Sequence, residues 1–147
     1  LMFHVDSIMN ALYTSIASDA AVVSSGFVVE LEPVNQGDMN IGLWCGVYFI
    51  DAPFAPGAMG GQQFDGVVDM SVVVRATDAG GRAASILALQ RAVKPVLTAI
   101  WCNLTLGGTV DVIDTINIQP FEIQRSTEDF IQSYEIQLAA KLNGALP

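Results

Sequence analysis

The residues able to do chemistry in this chain are few and widely spaced. His4 is the only histidine, close to the N-terminus, and neither a serine nor a cysteine lies at a spacing that would pair with it as a nucleophile. Cys45 and Cys102 stand in apolar surroundings with no CxxC and no neighbouring histidine, which predicts two buried, reduced thiols and no zinc site. Asp65 and Asp69 are four apart, so on a strand they share a face and could converge on a cation or act as an acid/base pair; Asp111 and Asp114, three apart, could not. The ordinary alternative for the first pair is a solvated strand end. Gly80-Gly81-Arg82 ahead of a helix could receive an anion, but no GxGxxG or GxxxxGK[ST] accompanies it. These residues predict no catalytic centre, no metal and no cofactor.

The elements that would position these groups follow from periodicity. Asp6-Ser7 reads as a helix N-cap, followed by Ile8, Leu12 and Ile16, with Met9, Tyr13 and Ala17 beside them, at helical spacing. A short second helical segment ends at Ser24-Ser25-Gly26. Phe27–Glu32 reads as a strand ended by Pro33; the turn-like Asn35-Gln36-Gly37-Asp38 and a strand over Ile41–Ile50 then suggest a hairpin. Residues 51–65 hold two prolines and three further glycines among small residues, which predicts a long flexible loop. Phe54, Met59 and Phe64 are stranded on it. They either fold back over the core or form an arm that orders against a neighbouring subunit.

Val67–Ala76 is the clearest strand. Val68, Met70, Val72, Val74 and Ala76 make one apolar face, while Val67, Asp69, Ser71, Val73 and Arg75 make a mixed one. Thr77-Asp78 caps a helix over Arg82–Asn103, with Ile86, Leu89, Val93, Val96, Leu97, Ile100 and Leu104 on one side; Pro95 inside it predicts a kink or a split. Beyond Gly107-Gly108, Thr109–Gln124 reads as one long or two bent strands, with Pro120 at an edge or bulge. Arg125–Asp129 is a turn, and Ile131–Leu142 is a strand with Tyr134, Ile136, Leu138 and Ala140 on one face. Trp44, Trp101 and the tyrosines fall at spacings of core or interface anchors. The fold class is therefore α+β: one domain over residues 1–147, mainly an antiparallel sheet with two helices packed on one face.

Composition adds a constraint. Hydrophobic residues make up 52% of the 147, charged residues only 14%, and mean hydropathy is +0.47, whereas globular domains carry about 25% charged residues. The excess implies that part of the exterior is covered. No run approaches the roughly 20 residues of a membrane-spanning helix, and the opening residues lack a basic leader, so protein rather than lipid is the expected cover. The net charge of −9, with six scattered bases, excludes a nucleic-acid grip through phosphates. It is compatible with a smooth acidic surface past which DNA slides.

Taken together, the opening helix around Ile8–Ile16, the hairpin, the Val67–Ala76 strand leading through Thr77-Asp78 into the Ile86–Leu104 helix, and the closing Arg125–Asp129 turn with Ser133-Tyr-Glu-Ile-Gln-Leu138 resemble the tail terminator proteins of long-tailed bacteriophages, of the minor tail protein U, tail-completion or head-tail joining type. The resemblance lies in order, lengths and character along nearly the whole chain, without a signature motif. It implies a non-enzymatic virion protein of the tail or neck, assembled in the host cytoplasm. Such a protein forms a closed ring of copies, typically a hexamer, on the tail tube protein, halting its growth. The ring presents a surface to the head connector or stopper protein, and DNA crosses the lumen unbound. Residues 51–65 would be an assembly arm, and Phe54, Met59, Phe64, Val67, Val73, Arg75 and Arg82 candidate subunit or partner contacts. The alternatives are a neck connector, stopper or tube-like protein, and, in a different class, a small-molecule-binding or hydrolytic α+β domain using Asp65, Asp69 or Arg82.

Overall fold

In a computed structural model of the chain, which describes residues 4–32, 42–56, 63–78, 80–120 and 131–145, the architecture is α+β. The elements in chain order are α1 (Val5–Ala17), α2 (Ala20–Ser24), β1 (Val28–Leu31), β2 (Leu43–Asp51), β3 (Phe54–Pro56), β4 (Gln63–Thr77), α3 (Arg82–Trp101), a 3-10 turn at Leu106–Gly108, β5 (Val112–Pro120) and β6 (Ile131–Ala145). The sheet runs β1-β2-β4-β6-β5, with β3 alongside β4. All its pairings are antiparallel except β1 with β2.

That exception corrects the expected hairpin. Val28 to Leu31 match Trp44 to Val47 in parallel register, whereas the two strands of a hairpin are antiparallel. The turn-like Asn35–Asp38 lies outside the described residues. The helix cap is corrected as well. α1 begins at Val5 with exposed His4 at the N-cap position, and no side chain caps it. Asp6 instead sits in the first turn, where a negative charge suits the helix dipole. Asp19 does cap α2, accepting from the N–H groups of Ala21 and Val22 at 3.1 and 3.2 Å.

β4 organises the sheet. Over its full length it pairs with β6, from Gln63 opposite Ala145 to Thr77 opposite Ile131. On its other side β2 pairs as far as Asp69, and β3 takes over from Gly66. Between the two pieces, Pro53 cannot donate to a ladder, but its carbonyl still accepts from Val67 N–H at 3.1 Å. The region expected as one long loop is thus partly a short strand pair, Phe54 to Pro56 against Phe64 to Gly66.

One face of the sheet meets the helices. Val68, Met70, Val72, Val74 and Ala76 of β4 are buried there with Cys45 and Val47 of β2 and Ile136, Leu138, Ala140 and Leu142 of β6. From above, α1 contributes Ile8, Met9, Leu12 and Ile16, and α3 contributes Leu89, Ala92, Val93, Val96, Ala99 and Ile100. α1 lies over β1 and β2 and α3 over β4 and β6. By length and composition α3 could cross a membrane, but its apolar stripe is spent on this packing.

Pro95 neither splits α3 nor ends it. A proline in a helix interior removes one backbone hydrogen bond and costs about 3 kcal/mol. Buried side chains on both sides of it, from Leu89 to Ile100, hold the two halves on one sheet and offset that cost. Replacing Pro95, which is only half-buried, with alanine restores the missing N–H. Pro95→Ala is expected to stabilise the fold by about 1–3 kcal/mol, read as a raised midpoint in chemical denaturation; a lowered midpoint would mean that the packing requires proline at this position.

Candidate interaction surfaces

The chemistry-bearing residues are not brought together. Among the described residues no group of three or more His, Cys, Asp and Glu could hold a metal ion. His4 stays at the start of α1, its carbonyl accepting from Ile8 N–H at 3.1 Å. Asp69 is half-buried on β4 opposite Asp51, while the side chain of Asp65 lies outside the described residues. At the start of α3 the N-cap is Gly81 (φ 101°), without a side-chain cap, rather than Thr77-Asp78. Asp78 Oδ1 accepts from Gly80 N–H at 2.8 Å, so a carboxylate of the chain itself already stands where an anion was weighed.

Away from the helices, the sheet carries an open depression of about 400 Å³ lined by Asp69, Ser71, Thr115, Asn117, Glu135 and Gln137, among others. Glu135, one of its lining residues, collects three hydrogen bonds. Ser71 Oγ donates to Glu135 Oε2 at 2.7 Å, and Gln119 and Gln137 donate to Oε1 at 2.9 and 3.1 Å. A carboxylate receiving three donors from three strands ties them together. Ser71 has a carboxylate partner but no histidine, so the geometry offers no activated nucleophile of the Ser-His type.

The same face is closed over at its β2 end. Trp44 and Arg75 are opposite one another in register and both completely buried, with the guanidinium 4.8 Å from the indole centroid. A desolvated pair of this kind contributes about 2 kcal/mol. Gly46 makes room for it. A Cβ there would meet Trp44 Cζ2 and Tyr48 Cε2, each at 3.0 Å, with Trp44 Cη2 closer still. Tyr48, beside this pair, has its phenol pushed above the usual range by burial and then by Glu30 and Glu32, with Arg75 acting the other way. Because the indole is enclosed and cannot swing away, Gly46→Ala should cost about 1–3 kcal/mol, measured by urea denaturation; an unchanged midpoint would show that the ring relocates freely.

The candidate contact residues therefore occupy unlike places. Phe54 and Phe64 belong to the β3–β4 pair at one end of β4, and Met59 lies outside the described residues. Val67 is at the margin of exposure, whereas Val73 and Arg75 are buried within the chain itself. Arg82 is exposed beyond the other end of β4. Phe64 and Thr77 stand thirteen residues apart on one strand, roughly 40 Å, so the described positions are spread along the length of β4.

A surface that the periodicity did not single out is apolar. Leu97 and Trp101, four apart, form the outer flank of α3, continuing the line of buried Val93 one turn before them. With Ile116 and Ile118 of β5, and Gln90, Lys94 and Thr98, they line an open groove of about 590 Å³. Trp101 is 67% exposed and Ile118 42%. The groove exists because α3 lies over β4 and β6, leaving edge strand β5 beyond the helical layer. The signal was present in the Val93-Leu97-Trp101 spacing, one stripe over from the buried Leu89-Val93-Val96-Ile100 row.

The two thiols also differ, correcting the expectation that both are buried. Both are free, but only Cys45 is enclosed, its thiol pushed up to about 12 by burial, and Cys102 is exposed. One thiol per chain, removed by Cys102→Ser, should react with an aromatic disulfide reagent in native protein at pH 8, and two after unfolding. Prompt native reaction of both would contradict the enclosure of Cys45.

No family model matches the chain, and no curated protein does. Among solved structures it is similar to a chain from the virion of a native gene transfer agent particle, at 17% identity over 92% of this chain and 94% of that one, with a TM-score of 0.48. A second is the sheath/tube terminator of an extracellular contractile injection system in its extended state, at 11% identity and a TM-score of 0.40. There the match takes in 100% of this chain but 61% of the other.

Proposed function

We propose that this chain is a structural protein of a phage-like virion, a tail terminator that assembles into a ring, typically a hexamer, at the head-proximal end of the tail tube. There it would stop tube growth and offer the surface that joins the head connector. The observation that carries the reading is the unspent apolar surface. A chain with 52% hydrophobic and 14% charged residues still exposes Trp101, Ile118, Leu87, Val23 and Ile50 after its core is built. Of these, Trp101 and Ile118 share the open groove between α3 and β5, and a contiguous apolar patch of this kind marks a protein contact. The order of elements, which resembles the tail terminator family, gives those contacts their setting, and the net charge of −9 suits a lumen through which DNA passes unbound. A ring needs head-to-tail contacts that close by rotation, so each copy must present two different surfaces.

Native mass spectrometry of the purified protein, followed by electron microscopy with isolated tail tubes, tests this directly. A closed oligomer that caps one end of the tube is expected. A protein that stays monomeric alone and beside tubes would refute the proposal.

A further inference from the structure

Charge is unevenly divided along this chain. Residues 1–74 contain eight acidic residues and no lysine or arginine, while residues 75–147 carry seven acids and all six bases. The fold converts this division into two sides. β1, at one edge of the sheet, bears half-buried Glu30, with Val28 partly exposed and, just beyond its end, exposed Glu32, whose Oε1 accepts from Phe49 N–H at 2.6 Å and whose other oxygen is left for a partner. At the opposite edge stand β5 and the flank of α3. α3 has no acidic residue and carries Arg82, Arg91 and Lys94, all exposed. Lys94 lines the apolar groove, and Arg91 is one turn away. Asp114, at the other end of β5 from Ile118, is taken up by Lys141 at 3.6 Å.

We infer that the α3–β5 groove, with Trp101, Leu97, Ile116 and Ile118 as its apolar floor, Lys94 at its rim and Arg91 one turn away on α3, receives the acidic β1 edge of a second copy, through Val28, Glu30 and Glu32. The inference rests on the self-association proposed above and specifies which two surfaces meet. The charges favour a second copy because the groove is basic on a chain that is acidic elsewhere, so the chain's own far edge is its complement. The surfaces are different and lie on opposite edges of one sheet, so the contact is heterologous: each copy gives one side and receives with the other. Trp101 fits the role of an anchor, since exposed tryptophans at such contacts carry a large share of the affinity. The rim charges set register and salt sensitivity.

The test uses full-length protein in sedimentation velocity, with circular dichroism and thermal midpoint as controls for folding. Trp101→Glu should weaken association at least about thirtyfold. Lys94→Glu should weaken it about tenfold, and adding Glu30→Lys in the same chain should restore most of the loss. Trp101 and Lys94 are exposed, so neither change disturbs the core. The sharpest arm mixes two defective chains. Trp101→Glu keeps an intact β1 edge, and Val28→Lys/Glu30→Lys keeps an intact groove. Each alone should be monomeric, and together they should form a one-to-one pair and nothing larger. If wild-type protein associates and Trp101→Glu associates equally well, or the mixture forms no pair, the assignment of these surfaces is wrong while the ring proposal stands. If wild-type protein associates neither alone nor beside isolated tail tubes, it is the ring proposal that fails.

Discussion

The burial of β4 on both faces is the constraint from which the rest of the molecule follows. This strand of fifteen residues pairs along its full length with β6, and in turn with β2 and β3, and at its centre both faces are buried. The face with Val68, Met70, Val72, Val74 and Ala76 is met by α1 and α3. The other presents Ser71, Val73 and Arg75, a set that no apolar layer could cover without stranding a charge. The fold answers with an indole laid against the guanidinium, a glycine at position 46 that clears its path, and a carboxylate at Glu135 that takes the Ser71 hydroxyl. Gly46 is therefore as much part of the core as the valines it neighbours.

Much of this was legible in the residues. Helical spacing from Ile8 to Ile16 and from Leu89 to Ile100 located both long helices, and alternation from Val67 to Ala76 and from Tyr134 to Ala140 located both central strands with the correct inward faces. Strand direction was less accessible. A period of two is the same whichever way a strand runs, so nothing within Val28–Leu31 distinguishes a parallel from an antiparallel partner. Of the kink or split expected at Pro95, the split does not occur, since whether a helix continues through proline depends on what both of its halves bury.

The candidate contacts show a further difference between pattern and place. Alternation assigns Val73 and Arg75 to a mixed face, but the amount of water reaching that face is set by residues distant in sequence, Trp44 above all. Conversely, Trp101 adjoins the buried stripe of α3, and only the position of β5 beyond the helical layer leaves it bare. Burial is thus a property of neighbours, and the two positions exchange roles for that reason.

The same contrast gives the molecule two internal lamps. Its only tryptophans are in opposite environments, Trp44 sealed beneath the sheet's polar side and Trp101 two-thirds open to solvent beside the groove. Light emitted by the first reports whether the sheet is intact and is indifferent to events at the surface. Light emitted by the second changes colour with the wetness of the α3 flank. A single spectrum of the unlabelled protein thereby separates loss of structure from the covering of that flank.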